Sequence, residues 1–294
     1  MEISEALQKI PMLAAFGAQE LETSPLTGGL TNDNYKVSHG NERFVLRIPG
    51  RGSNQLVDRA KEKHAAALAS KAGINAEVFF FDESSGLQLC RFVDGKTLSI
   101  ADFQDDAILA RAVSSMRTIH KLTEPFTMTF SYSREIDRFL DLLSKVDVRL
   151  PEGFSTELSR VRAYLDWLET LAIEHRPCHC DPLPENFLDT GKQVYLIDWE
   201  YSGNADPLLD LGGFARESNF DQKRIQLLLK LYFKRDPTDE EVRRTFLYGV
   251  VADFAWYIWA LYKSGVDRGD FDYVEYGQNR YQRFLAESTS ISQS

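Results

Sequence analysis

Apolar and polar positions change their period near residue 94. Before it, apolar residues come in short strand-like runs. Runs at 34–38 and 43–48 flank His39-Gly40-Asn41, a compact hairpin turn. The stretch 55–73, QLVDRAKEKHAAALASKAG, is rich in Ala, Lys and Glu, which predicts a helix with Gly73 at its C-cap. Two further strand-like runs, 77–81 and 87–93, are joined by the polar segment 82–86. These elements add up to a small antiparallel sheet with one helix.

After Asp94-Gly95 the period becomes helical. Segments near 103–121, 132–146 and 155–175 carry apolar residues three and four apart, Leu109, Val113 and Met116 among them. Short strands are expected at 178–180, 186–189 and 194–198. Behind Pro237, Thr238-x-x-Glu241 is a capping box that opens a helix running to Lys263, with Gly265 just past its end. The pattern is that of an α+β protein: a β-rich lobe over 1–94, a larger helical lobe over 95–294, and a cleft between them hinged near 92–96.

A chain of 294 residues fits about two domains or one bilobal unit. No apolar run reaches the length of a spanning helix. The N-terminal MEISEALQKIPMLAAFGAQEL has acids where a signal peptide has a basic region, so cytoplasmic residence is expected. Three cysteines, an odd number, argue against a disulfide framework. The net charge of −10 disfavours nucleic acid and stable association with anionic membranes, and is compatible with a cationic small molecule.

The densest chemistry lies in residues 178–203, CHCDPLPENFLDTGKQVYLIDWEYSG. Cys178, His179 and Cys180 are consecutive, and on an extended segment neighbours point to opposite faces, so they cannot converge on a tetrahedral metal. Both cysteines read instead as small buried apolar residues. Asp181 and Asn186 stand five positions apart, and Asp198 follows the strand-like run 194–197. Phosphoryl transfer needs such a set: an aspartate at the acceptor hydroxyl and oxygen ligands for the Mg²⁺ that bridges the phosphates.

HCDPLPENF followed by IDWEYSG resembles the paired motifs of the choline kinase and aminoglycoside phosphotransferase superfamily, which has the bilobal protein-kinase-like fold. The resemblance extends over roughly residues 26–285 and is closest in pattern to bacterial choline kinases. It implies an ATP- and Mg²⁺-dependent phosphotransferase with an alcohol group as acceptor. Asp181 would be the catalytic base, Asn186 and Asp198 the metal ligands, and His179 a brace for the loop. Asp181-Pro182 departs from the commoner Asp-Leu, and proline stiffens the residue before it. In the first lobe, Gly28, Gly29, Thr31 and Asn32 would cover the phosphates. Arg47, in FVLRIPG, would hold phosphate and be oriented by Glu62. Arg91 and Val93 would belong to the linker that holds adenine.

Trp256 and Trp259, three apart on one predicted helix, most often mark a core in such a pattern. The resemblance gives them a second meaning, as rings facing a quaternary ammonium. Glu217 would add negative charge near that ammonium and Asp210 would fix the loop by hydrogen bonds. The family's animal members have a Tyr-rich run after that Glu, whereas Ser218-Asn219-Phe220-Asp221 stands here. Choline or a related cationic amino alcohol is therefore the expected substrate. Ethanolamine, thiamine and aminoglycosides stay open as acceptors, and dimers occur in the group. A catalytically silent kinase-like module is the alternative of another class, but Asp181, Asn186 and Asp198 are all present.

Overall fold

The short apolar runs build a five-stranded antiparallel sheet. Its strands are β1 (Glu22–Leu26), β2 (Asn32–His39), β3 (Glu42–Pro49), β4 (Val78–Phe81) and β5 (Gln88–Arg91), in spatial order β1-β2-β3-β5-β4. This computed structural model describes residues 1–17, 20–26, 32–50, 56–267 and 271–291, so Gly28, Gly29 and Thr31 lie outside the described residues. Period-two alternation on β3 sorts its side chains. Phe44, Leu46 and Ile48 pack into a core with Ala6, Ile10 and Leu13, while Val45 and Arg47 face the cleft. Those alanine, isoleucine and leucine residues come from two short helices, α1 (Ile3–Lys9) and α2 (Pro11–Ala14), which cover the sheet's outer face.

The helix α3 (Arg59–Lys71) is capped by Asp58, whose carboxylate accepts from the Lys61 N–H, and ends before Gly73 at φ +74°. Its buried face carries Arg59 and Glu62 beside Ala65, Ala66 and Ala69. Two charges on a buried face call for partners: Glu62 pairs with Arg47 of β3 and with Arg59, and Arg59 also reaches Glu200 of the opposite lobe.

The second lobe begins with β6 (Lys96–Thr97) and a 3₁₀ turn, Ile100–Gln104, ahead of α4 (Asp106–His120), α5 (Tyr132–Leu143) and α6 (Phe154–Glu169). Four short strands follow: β7 (Arg176–Cys178), β8 (Phe187–Asp189), β9 (Val194–Leu196) and β10 (Gly203–Ala205). They pair as β10-β7 and β6-β8-β9 and carry the catalytic-type loops at their ends. The expected strand 178–180 stops at Cys178, because Cys180 has φ +65°; the expected strand 194–198 stops at Leu196, because Asp198 has φ +66°. Left-handed backbone ends both strands where the polar residues begin.

The chain closes with α7 (Pro207–Glu217), α8 (Gln222–Phe233), α9 (Asp239–Val266) and α10 (Tyr273–Ile291). α9 is apolar nearly all round and runs through the centre of the lobe, as such helices do. It continues three residues beyond Lys263, and Gly265 lies within it rather than after it. A Cβ at Gly265 would sit 3.0 Å from Val148 and 3.2 Å from Val146, so the glycine serves close packing and not a turn. The Glu217 end of α7 is set against α9 by two further glycines. A Cβ at Gly212 would lie 2.4 Å from the Thr245 carbonyl oxygen, and Gly249 faces the Gly212 oxygen.

That crossing leaves no room for a methyl group. Gly212→Ala should lower stability by about 1–3 kcal/mol, seen as a lower urea midpoint with an unchanged m-value.

Candidate active site

One cavity of about 770 Å³ runs between the lobes, from Val45, Arg47 and Cys90 on the sheet side to Asp181, Trp256 and Trp259 on the helical side. That volume lies within the usual range for small-ligand sites. Three groups of residues shape it.

The first group holds Asp181. Asp210, wholly buried on α7, accepts from the backbone N–H groups of His179 and Cys180, each at 2.7 Å. It also hydrogen-bonds His120 Nε2 at 2.9 Å, and the other ring nitrogen of His120 bonds the Tyr232 hydroxyl at 2.9 Å. Burial alone would raise the Asp210 carboxyl, but the His120 hydrogen bond and charge outweigh it and hold it below the usual range. His179 Nε2 donates to the Ile197 carbonyl at 2.8 Å, tying the Asp181 loop to the Asp198 loop. The left-handed Cys180 then turns the chain so that Asp181 lines the cavity.

Cys178 has ligand atoms of His120 and Asp210 within 4.8 Å, the nearest approach to a metal knot in this segment. Those two already bond each other, and burial drives both thiols, Cys178 and Cys180, well above their ordinary pKa. Neutral thiols are poor metal ligands. The cysteines are packing residues.

The second group is electrostatic. Arg47 pairs with Glu62, with Asp198 at 3.3 Å and with Glu200 at 3.8 Å. Arg59 reaches Glu62 at 2.7 Å and Glu200 at 2.8 Å, and Asn32 Nδ2 donates to Glu200 at 3.0 Å. Three carboxylates thus face two guanidinium groups. Burial works to raise Glu200, but Arg47 and Arg59 prevail and keep it low. Asp198 is driven well above its usual range by burial and then by the Glu200 charge beside it. The cluster is one positive charge short, and its three carboxylates have oxygens within 4.8 Å of one another. Asn186 Nδ2 donates to the Asp181 carbonyl at 2.9 Å, which leaves Oδ1 as its free oxygen donor. Asn32 Oδ1 is buried without a partner among the described residues. Oxygen donors with a surplus of negative charge suit a hard cation such as Mg²⁺.

The third group is aromatic. Trp256 and Trp259 stand edge to face with centroids 6.2 Å apart. Tyr201 adds its ring at 4.9 Å from Trp256, and Tyr276 at 6.0 Å from Trp259. All four rings line the cavity. Glu217 lines it too, paired by both oxygens to Arg280, one contact being 3.0 Å; Arg280 also stacks on Tyr276, its guanidinium carbon 4.2 Å from the ring centre. Burial and then the Glu217 charge push the Asp181 carboxyl up to about 7, with Arg280 pulling the other way.

The sequence matches the phosphotransferase enzyme family over residues 22–245. A choline/ethanolamine kinase family protein from Mesorhizobium loti is similar over 98% of this chain and 95% of its own, at 34% identity and a TM-score of 0.82. The chain belongs to this phosphotransferase family, in its choline/ethanolamine kinase branch. Protein LicA of Haemophilus influenzae is 30% identical over 83% of the kinase and 75% of its own length. A LicA structure in complex with AMP is 26% identical, with a TM-score of 0.80 over 96% of the kinase and 97% of that chain.

Within the kinase, Asn32, Arg47, Glu62, Asp181, Asn186, Asp198, Glu217, Trp256 and Trp259 all line the one cavity, as do Arg91 and Val93. The Arg91 guanidinium, however, is engaged at the surface by Glu77. Glu217, expected to add negative charge near an ammonium, shares that charge with Arg280. Sequence reading did not single out Arg59, Glu200, Tyr201, Tyr276 or Arg280. Arg59 stands three residues before Glu62, a helical ion-pair spacing that pointed to it. Nothing local marks Arg280, whose partner is 63 residues away.

Asp181 has a folded pKa above its ordinary value of 3.8, so the folded state holds the extra proton between that value and about 7. On this group's account stability is lost as pH rises through that window. Asp181→Asn should therefore raise stability at pH 8 by roughly 1–3 kcal/mol, with the gain vanishing towards pH 4 in parallel thermal melts. The same variant should lower turnover by about 10²–10⁴-fold.

Proposed function

We propose that this kinase transfers the γ-phosphoryl group of ATP to the hydroxyl of choline, with Mg²⁺ as cofactor. The observation that carries the reading is a cage of aromatic faces in the same cavity as Asp181 and the Arg47–Asp198 cluster. A cation is attracted to such faces with roughly 0.5–2 kcal/mol per ring, and a trimethylammonium group has no N–H to satisfy.

The steps follow from where the groups stand. Trp256, Trp259 and Tyr276 hold the cationic head and point the acceptor's hydroxyl towards Asp181. A carboxylate with a pKa near 7 can orient that hydroxyl and take its proton as the new P–O bond forms. Arg47, kept charged by its three carboxylates in spite of burial, is placed for the phosphate oxygens, with Glu62 and Arg59 fixing its direction. Asn186 and Asp198 would hold the metal, which neutralises charge on the phosphates. Most of the rate enhancement then comes from position and charge neutralisation. No helix among the described residues is long and apolar enough to cross a membrane, in keeping with a small polar substrate.

ADP release from the purified protein with ATP and Mg²⁺, assayed against choline, ethanolamine, thiamine, an aminoglycoside and no acceptor, tests the reading. Choline should give the highest kcat/KM, and Asp181→Asn should abolish the signal. Release with another acceptor alone would keep the kinase and discard the choline assignment. Trp259→Ala should raise the KM for choline about tenfold or more and move the KM for ATP less than about twofold; equal effects on both would make the tryptophan a core residue.

A further inference from the structure

Glu217 and Arg280 form a buried ion pair at the acceptor end of the cavity. Arg280 is only 4% exposed, yet it lines the cavity. Its guanidinium takes both oxygens of Glu217, donates to the Tyr276 hydroxyl, and lies flat enough on Tyr276 to make a cation–π contact. Behind it, Asp253 is wholly buried and binds Arg216 and Arg283, with Arg280 at 3.7 Å. Arg283 stands 3.6 Å from Glu217, and Arg216 reaches Glu287 at 3.3 Å. Three arginines therefore meet three carboxylates. The cluster balances its charges.

We infer that Arg280 sets the choice of acceptor: by keeping Glu217 in a closed pair, it makes the cavity select a fully substituted ammonium over a primary one. The inference rests on the proposed choline kinase activity and adds its specificity. A primary ammonium carries three N–H donors, and burying them without acceptors is unfavourable. Glu217 is the carboxylate beside the aromatic cage, and Arg280 binds each of its oxygens, with Arg283 3.6 Å from one of them, so its charge is already answered. Taking Glu217 away would strand a buried guanidinium, which is strongly unfavourable. A trimethylammonium group asks for ring faces and apolar contact, which Trp256 and Trp259 offer without disturbing the pair.

The test is kcat/KM for choline and for ethanolamine at saturating ATP and Mg²⁺, in the parent protein and in Arg280→Gln, Arg280→Lys, Glu217→Gln and the Glu217→Gln/Arg280→Gln double variant. Arg280→Gln frees the carboxylate, so the choline-to-ethanolamine ratio should fall about tenfold or more. The double variant has no carboxylate to free and should return towards the parent ratio. Glu217→Gln leaves an excess positive charge that weakens both substrates alike, so its ratio should stay within about threefold of the parent's. A folded Arg280→Gln protein, with unchanged KM for ATP and an unchanged ratio, overturns the inference. If that variant does not fold, Arg280→Lys decides, since an ammonium cannot reproduce the forked pair: its ratio should fall by about threefold, and an unmoved ratio overturns the inference. Selective loss of ethanolamine in Glu217→Gln also overturns it, because the parent substrate would then be reading that carboxylate directly. A parent protein inactive on choline removes the proposed function itself, whereas an active parent with an unmoved ratio removes only the role of Arg280.

Discussion

One buried carboxylate holds the reactive loop in place. Asp210 accepts two backbone N–H groups from the residues just before Asp181 and a third bond from His120. Those N–H groups face inward because Cys180 is left-handed, and no strand partner exists there to receive them. Without the carboxylate they would be buried donors with nothing to bind, a condition folded proteins avoid. The loop's shape and the charge of Asp210 therefore require each other. Tyr232 and His120 extend the support across α8 and α4, so the position of Asp181 is fixed by packing well away from the cleft.

The opposite end of the cavity is organised by imbalance. Arg47 and Arg59 cannot neutralise Glu62, Asp198 and Glu200 when all three are ionised, and the shortfall shows at Asp198, whose backbone is left-handed and whose carboxyl burial and the Glu200 charge push towards the protonated form. Strain and unmet charge tend to collect where a ligand relieves them. The acceptor end shows the reverse arrangement, with equal numbers of arginines and carboxylates around Asp253. One end of the cleft thus offers an excess of carboxylates and the other a balanced ion cluster beside aromatic rings.

Much of this was legible in the residues. The strand run 43–48 was read from its residues, the resemblance named Arg47 within it, and the Asp181, Asn186 and Asp198 spacing marked three loop residues that the fold brings into one cavity. The frame reading of Cys178 and Cys180 also held, since both are buried and neutral. Other features depend on pairing between distant segments and leave little local trace. β1 carries exposed, weakly alternating residues, so only its partner β2 makes it a strand. Gly265 looked like a helix stop because glycine usually is one at that place; here tertiary contact with Val146 and Val148 overrides the local preference. Arg280 and Glu217 sit on helices joined only by folding. Their encounter could not be read from either neighbourhood.

The helix α7 links these themes through its length. Asp210 near its start anchors the loop that carries Asp181, and Glu217 at its end belongs to the wall around the substrate's head group. Seven residues separate them, two turns on one face, a rise of about 10.5 Å. A straight helix locked against α9 by Gly212 and Gly249 cannot stretch or shorten that interval. The protein thereby contains a ruler: the interval between the anchor of the Asp181 loop and the Glu217–Arg280 pair is set by one helix, so the two ends of this wall of the cavity keep a fixed spacing.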